Sequence, residues 1–178
     1  MRWIGAGLVV LSCTSLGFQT AWQWRMRLRW LEQLRQMIYF LKGEILYGHT
    51  ALNEALDRVG QRCLQAEGER GLRKLPLFFL SVAGRIDRQE GEAFCQIWRE
   101  KMEALKISPL TEEDKKALKN LGDHLGYLDL TMQERNLLLY LEQLDEQIGY
   151  LRCHLKERTK LYTSLGIMGG LFLTVALL

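Results

Sequence analysis

The 178-residue chain carries 24 Lys and Arg against 21 Asp and Glu, a formal net charge of +3, with four cysteines and two prolines. The two signs are interspersed, which argues against a nucleic-acid-binding stripe. Cys13, Cys63, Cys95 and Cys153 stand far apart with no C-x-x-C pair, a pattern that argues against a disulfide framework or a zinc site and fits reduced thiols.

Apart from Arg2, every charged side chain lies between Arg25 and Lys160. The first element is the run of 22 uncharged residues between Arg2 and Arg25, and the chain closes with 18 more after Lys160. Each run can form a helix of roughly 27–33 Å at 1.5 Å per residue, close to the thickness of a bilayer's hydrocarbon core. The expected layout is a transmembrane anchor over 1–24, a cytosolic helical bundle domain over 25–160 and a second anchor over 161–178. Arg25, Arg27, Arg29 and Arg35 follow the first run, and Arg152, Lys156, Arg158 and Lys160 lead into the second. Basic flanks tend to stay cytoplasmic, so the middle is expected inside the cell and both termini outside the cytoplasm. The alternative for the first run is a cleaved signal peptide, but no A-x-A-like site follows it, and Trp22 and Trp24 suit an interfacial aromatic belt.

Everything between the anchors reads as helix. Trp24, Leu28, Leu31, Leu34, Ile38, Leu41 and Ile45 recur at spacings of three and four, so one long helix continues from the first run to about Gly48. Thr50 is placed to cap a second helix from Ala51 to about Val59. The stretch Gly60–Lys74 has the weakest helical signal. Pro76 sits in the first turn of a short apolar helix ending near Gly84. A further helix is predicted from Arg88 to Leu105, with Phe94, Ile97, Trp98, Met102 and Leu105 on one face. Thr111 followed by Glu112, Glu113 and Asp114 marks a helix start, its acids complementing the dipole, and that helix is expected to end near Leu121-Gly122. Thr131 and Glu134 read as a capping box for the last helix. There Leu137, Leu141, Leu144, Ile148, Leu151 and Leu155 alternate steps of four and three and run unbroken into the second anchor. The fold class is all-α, a compact bundle of about six helices with its first and last members adjacent and antiparallel.

No catalytic constellation stands out. His49, His124 and His154 are isolated, there is no H-E-x-x-H, and no G-x-x-x-x-G-K-[ST] occurs. The expectation is a protein that is not an enzyme, with no cofactor, metal or small-molecule substrate. The most distinctive segment is Gly43-Glu44-Ile45-Leu46-Tyr47-Gly48-His49-Thr50-Ala51-Leu52-Asn53-Glu54-Ala55-Leu56. It reads as a helix end, a glycine turn with Gly48 at a positive φ, and a Thr-capped restart. A helical corner explains Gly48 and Thr50 but does not need Glu44 or Tyr47, so those two are candidates for a buried network or a partner contact.

The segment resembles the E-I-x-Y-G-x-T-P-L-x-E-A signature of the stage III sporulation protein AB family, through Glu44, Ile45, Tyr47, Gly48, Thr50, Leu52, Glu54 and Ala55. Ala51 replaces the usual proline, at a position where Ala costs little. Leu121-Gly122, Leu125-Gly126, Asp129 and Gln133, and the Leu165-Gly166 and Gly169-Gly170 glycines, extend the likeness over nearly the whole chain. The resemblance implies a membrane protein made in the mother cell of endospore formers and placed in the membrane around the forespore. Its cytosolic domain would be similar to those of type II secretion F platform proteins. It would dock a cytosolic secretion-type ATPase and join other membrane components of a secretion-like channel, with Glu44, Tyr47, Gly48, Thr50 and Glu54 as a partner-binding or structural motif. A reading from another class is a membrane-tethered regulator or adaptor that binds a signalling partner.

Overall fold

The structure is a computed structural model that describes residues 2–66, 72–88, 93–105, 108–126 and 129–177; most side chains before Trp22 and after Leu155 lie outside the described residues. Among the described residues six helices follow one another: α1 (Arg2–Leu46), α2 (Leu52–Ala66), α3 (Lys74–Ile86), α4 (Phe94–Ala104), α5 (Glu112–Leu125) and α6 (Leu130–Leu177). Among the described residues there is no strand, so the all-α expectation holds. Among the described residues no helix is long and apolar enough to cross a membrane. The two expected anchors fall on the parts of α1 and α6 where most side chains lie outside the described ones.

The chain forms two compact units. One comprises Met1–Leu28 and Ile148–Leu178, that is, early α1 and late α6; the other is Arg29–Gln147. In the larger unit the stripe of α1 is buried as its spacing requires, with Leu31, Leu34, Ile38, Leu41 and Ile45 all inside. Leu137, Leu141 and Leu144 of α6 are buried likewise. Each such side chain contributes about 1.5–3 kcal/mol relative to an exposed position. Arg35 on α1 and Asp145 on α6 form a two-bond ion pair, through Nε to Oδ1 and Nη2 to Oδ2, which places the two long helices side by side in this unit. In the smaller unit Met26, Ile148 and Leu151 are buried.

The short helices pack in chain order, α2 on α3, α3 on α4 and α4 on α5. Gly60 lets α2 approach α3, since a Cβ there would lie 2.8 Å from the Leu80 side chain and 3.1 Å from the Pro76 carbonyl oxygen. Helix α2 runs on to Ala66, past the expected end at Val59. Helix α4 begins at Phe94 rather than Arg88; residues 89–92, which fall within its expected span, lie outside the described residues. The centre of this unit is Trp98 of α4, fully buried, with its ring centroid 4.8 Å from Phe78, 5.8 Å from Phe79 and 5.6 Å from Phe94.

Three further helix boundaries differ from the sequence reading, each through packing or hydrogen bonding. Helix α5 starts where expected, with Thr111 and Asp114 in a reciprocal capping box, but it continues to Leu125. Gly122 is not a terminator. It lies inside the helix, where a Cβ would come within 2.0 Å of the Trp98 ring. The indole occupies that space and donates from Nε1 to the Leu118 carbonyl at 3.0 Å. At α6 the cap is Asp129, not Thr131: its Oδ1 accepts from the Thr131 N–H at 3.0 Å and its carbonyl accepts from Gln133 N–H. The buried Gln133 amide then donates to the Leu125 carbonyl at 2.8 Å, satisfying an orphan acceptor at the end of α5. Thr50 is the third case, at the corner between α1 and α2.

Candidate functional site

Helix α1 ends at Leu46, and the chain reverses into α2 through Tyr47, Gly48, His49, Thr50 and Ala51. The turn is closed by backbone bonds from Tyr47 N–H and Gly48 N–H to the Gly43 carbonyl, at 3.0 and 3.2 Å, and from Thr50 N–H to the Glu44 carbonyl at 3.1 Å. The left-handed residue is His49, with φ 48°, and not Gly48 as expected. Histidine is among the side chains that tolerate this region better than most. Gly48 is needed for another reason. A Cβ at Gly48 would stand 2.6 Å from the Glu44 carbonyl oxygen and 2.8 Å from the Thr50 hydroxyl, so the corner closes only around a hydrogen atom.

Thr50 does not cap α2. The first helical bond of that region runs from Ala55 N–H to the Ala51 carbonyl, while the Thr50 hydroxyl turns back and donates to Glu44 Oε2 at 3.3 Å. The same carboxylate oxygen accepts from Arg58 Nη1 at 3.2 Å, and Arg58 Nη2 reaches Glu54 Oε1 at 2.6 Å. These two carboxylates, Glu54 foremost, hold the Arg58 guanidinium above its ordinary pKa. Glu44, Thr50 and Glu54 are thus brought into one network that ties the last turn of α1 to α2. Arg58 organises it and was missed in the sequence reading; its signal was the i,i+4 spacing from Glu54. Because the pairs are exposed, the network orients the corner more than it stabilises it.

Tyr47 stands apart. Its side chain is 79% exposed, and no interaction within the described residues engages it. The corner satisfies its own backbone without the phenol. Beside the turn opens a cavity of about 350 Å³ lined by Ile45, Thr50, Leu52, Ile86, Phe94 and Leu125. An exposed aromatic on a turn braced by an ion-pair network can receive another protein surface. Among the described residues no group of three or more His, Cys, Asp or Glu side chains could hold a metal ion.

Comparison with known proteins places this geometry in context. The model of the stage III sporulation protein AB family matches residues 2–178. The stage III sporulation protein AB of Bacillus subtilis (strain 168) is 25% identical over 179 residues, spanning 100% of this chain and 99% of the relative. No solved structure matches.

Proposed function

Because the chain belongs to the stage III sporulation protein AB family, we propose that it acts in sporulation as a non-catalytic membrane platform. In this reading residues 1–24 and 161–178 are transmembrane anchors, and residues 25–160 form a cytosolic bundle. The two uncharged terminal runs and the arginines and lysines on their inner flanks support that topology. The bundle docks a cytosolic secretion-type ATPase, and the anchors meet lipid and the other membrane components of a channel between mother cell and forespore.

The observation that carries the docking role is Tyr47. It projects from a corner held by Glu44, Thr50, Glu54 and Arg58 and does nothing for the fold itself. Exposed aromatics on rigid supports are what partner hot spots are made of. A platform of this kind positions a motor and transmits its movement; the nucleotide chemistry belongs to the partner.

Purification of the tagged full chain from sporulating membranes tests the role. A secretion-type ATPase and membrane ring proteins are expected to accompany it. A kinase or transcription factor in their place would favour the regulatory reading. Topology is tested separately in intact cells with a membrane-impermeant thiol reagent. A cysteine added before Trp3 or after Leu178 is expected to react, and cysteines placed between residues 60 and 110 are expected not to. Labelling of the middle without lysis would overturn the platform.

A further inference from the structure

Along the outer seam between α1 and α2, two arginines of like setting have unlike partners. Arg58 and Arg62 lie four residues apart on one side of α2, and Glu44 and Phe40 lie four apart on the facing side of α1. The two helices run in opposite directions, so Arg58 meets Glu44, and one turn further from the corner Arg62 meets Phe40. The first arginine has two acids, Glu44 and Glu54. The second has a ring, its guanidinium 4.0 Å from the Phe40 centroid. Three and four residues from Arg62 on its own helix stand Arg58, Val59, Gln65 and Ala66, none of them acidic. Asp57, the remaining acid of α2, accepts from Gln61 at 2.6 Å. Among the described residues Arg62 has no ion pair.

The pattern recurs on the neighbouring flank of α1. Lys42, also without an ion pair among the described residues, lies 5.8 Å from the Tyr39 ring centroid. Tyr39 is 56% exposed and meets Phe40 edge to face, with centroids 6.4 Å apart. Gly43, one turn on from both rings, has nothing within 4 Å of the position a Cβ would take, so the helix backbone is open to close approach there. A ring attracts a cation through its quadrupole but leaves the charge unneutralised. It also holds a long side chain in place. The exposed Arg62 guanidinium therefore offers its N–H groups already oriented, in the planar fork that matches a carboxylate.

Resting on the reading that this domain docks a protein, we infer that its α1–α2 face receives an acidic segment of that partner. One carboxylate meets the Arg62 fork, a second lies near Lys42, and an apolar side chain sits over Gly43 against Tyr39 and Phe40. Charge selects the occupant. Glu44 and the acids of α2 are already bound to Arg58 or Gln61, and the two cations left on this face have the same sign. A carboxylate brought by a partner neutralises Arg62 without displacing any existing pair. Charge-assisted pairs of this forked kind supply direction as well as attraction.

The test uses the full chain in its sporulating host, with spore yield as the readout and second-site suppression as the probe of partner chemistry. Arg62→Glu is expected to lower spore yield at least about tenfold, the scale of reversing one member of an interfacial charge pair. Arg62→Gln loses the stacking on Phe40 equally but introduces no repulsion, and is expected to lose less. The same reversal at Arg135, exposed on α6, is expected to leave the yield at the wild-type level. Suppressors of Arg62→Glu are expected to change Asp or Glu to Lys or Arg in another protein. Wild-type yield from Arg62→Glu, an equal fall with Arg62→Gln, or an equal fall with Arg135→Glu would overturn the inference. So would a set of suppressors without such acid-to-base changes in another protein. Suppressors confined to this chain would show an internal contact or a second copy, and suppressors confined to lipid synthesis a membrane surface. An acid-to-base suppressor in a protein other than a secretion-type ATPase would defeat the ATPase-docking reading and leave the acidic segment standing.

Discussion

The Trp98–Gly122 joint and the Gly43–Thr50 corner both close around a glycine, yet they are built for different ends. At the joint a Cβ would meet the rigid Trp98 ring, 2.0 Å away, inside a shell of Phe78, Phe79 and Phe94. The indole N–H is spent on the Leu118 carbonyl. Every group there is accounted for by packing. At the corner the obstacle to a Cβ is the Glu44 carbonyl oxygen, the surroundings are polar, and one large side chain, Tyr47, is left over. A residue type that folding fully explains carries no news of function; an exposed aromatic that folding does not explain does. The contrast separates the residues that make the bundle from those that let it meet something else.

The largest expected effect comes from filling the joint. Gly122→Ala places a methyl group where the indole sits, and the surrounding aromatic rings leave the indole nowhere to go. The expected loss is about 3 kcal/mol, the upper range for overpacking, read as a shift in the denaturation midpoint of helicity. An unshifted midpoint would show that α4 and α5 are not in this close contact.

The corner is expected to yield less. Gly48→Ala must open the turn against a backbone oxygen, at a cost of about 1–2 kcal/mol. His49→Gly relieves a left-handed residue and is expected to move the midpoint the other way, by about 1 kcal/mol or less. The pair sharpens the assignment of the positive φ. If His49→Gly destabilises and Gly48→Ala is neutral, the left-handed residue and the close approach have been placed wrongly.

Tyr47→Ala is expected to change stability least, within about 0.5 kcal/mol, as for surface positions outside any network. If the proposed docking role holds, spore formation and co-purification of a secretion-type ATPase are nonetheless expected to fall. Normal sporulation by this variant would break the comparison from the functional side, since the corner would then be structural like the joint.

Much of this was legible in the residues. Buried Leu31, Leu34, Ile38 and Leu41, and the Leu137–Leu144 seam, followed from helical period alone, because burial of an apolar stripe is what that spacing demands. The Thr111 capping box was readable because its partners are three residues apart. Glu44 and Tyr47 stood out because a helix corner has no use for them, and the structure separates their roles, one into a network and the other into exposure.

What the sequence by itself determined is the local and periodic content: the helical class and order of the described elements, the uncharged ends and the motif through which the chain resembles its family. What only the tertiary structure decided is every feature whose cause lies far away in the chain. Gly122 ends no helix because Trp98, from another helix, fills the space beside it. Thr50 leaves its expected capping role because its hydroxyl donates to Glu44 Oε2, the same oxygen that Arg58 holds from α2. Local propensity acts through neighbours within about one turn, whereas steric exclusion and ion pairing act between groups that only folding brings together.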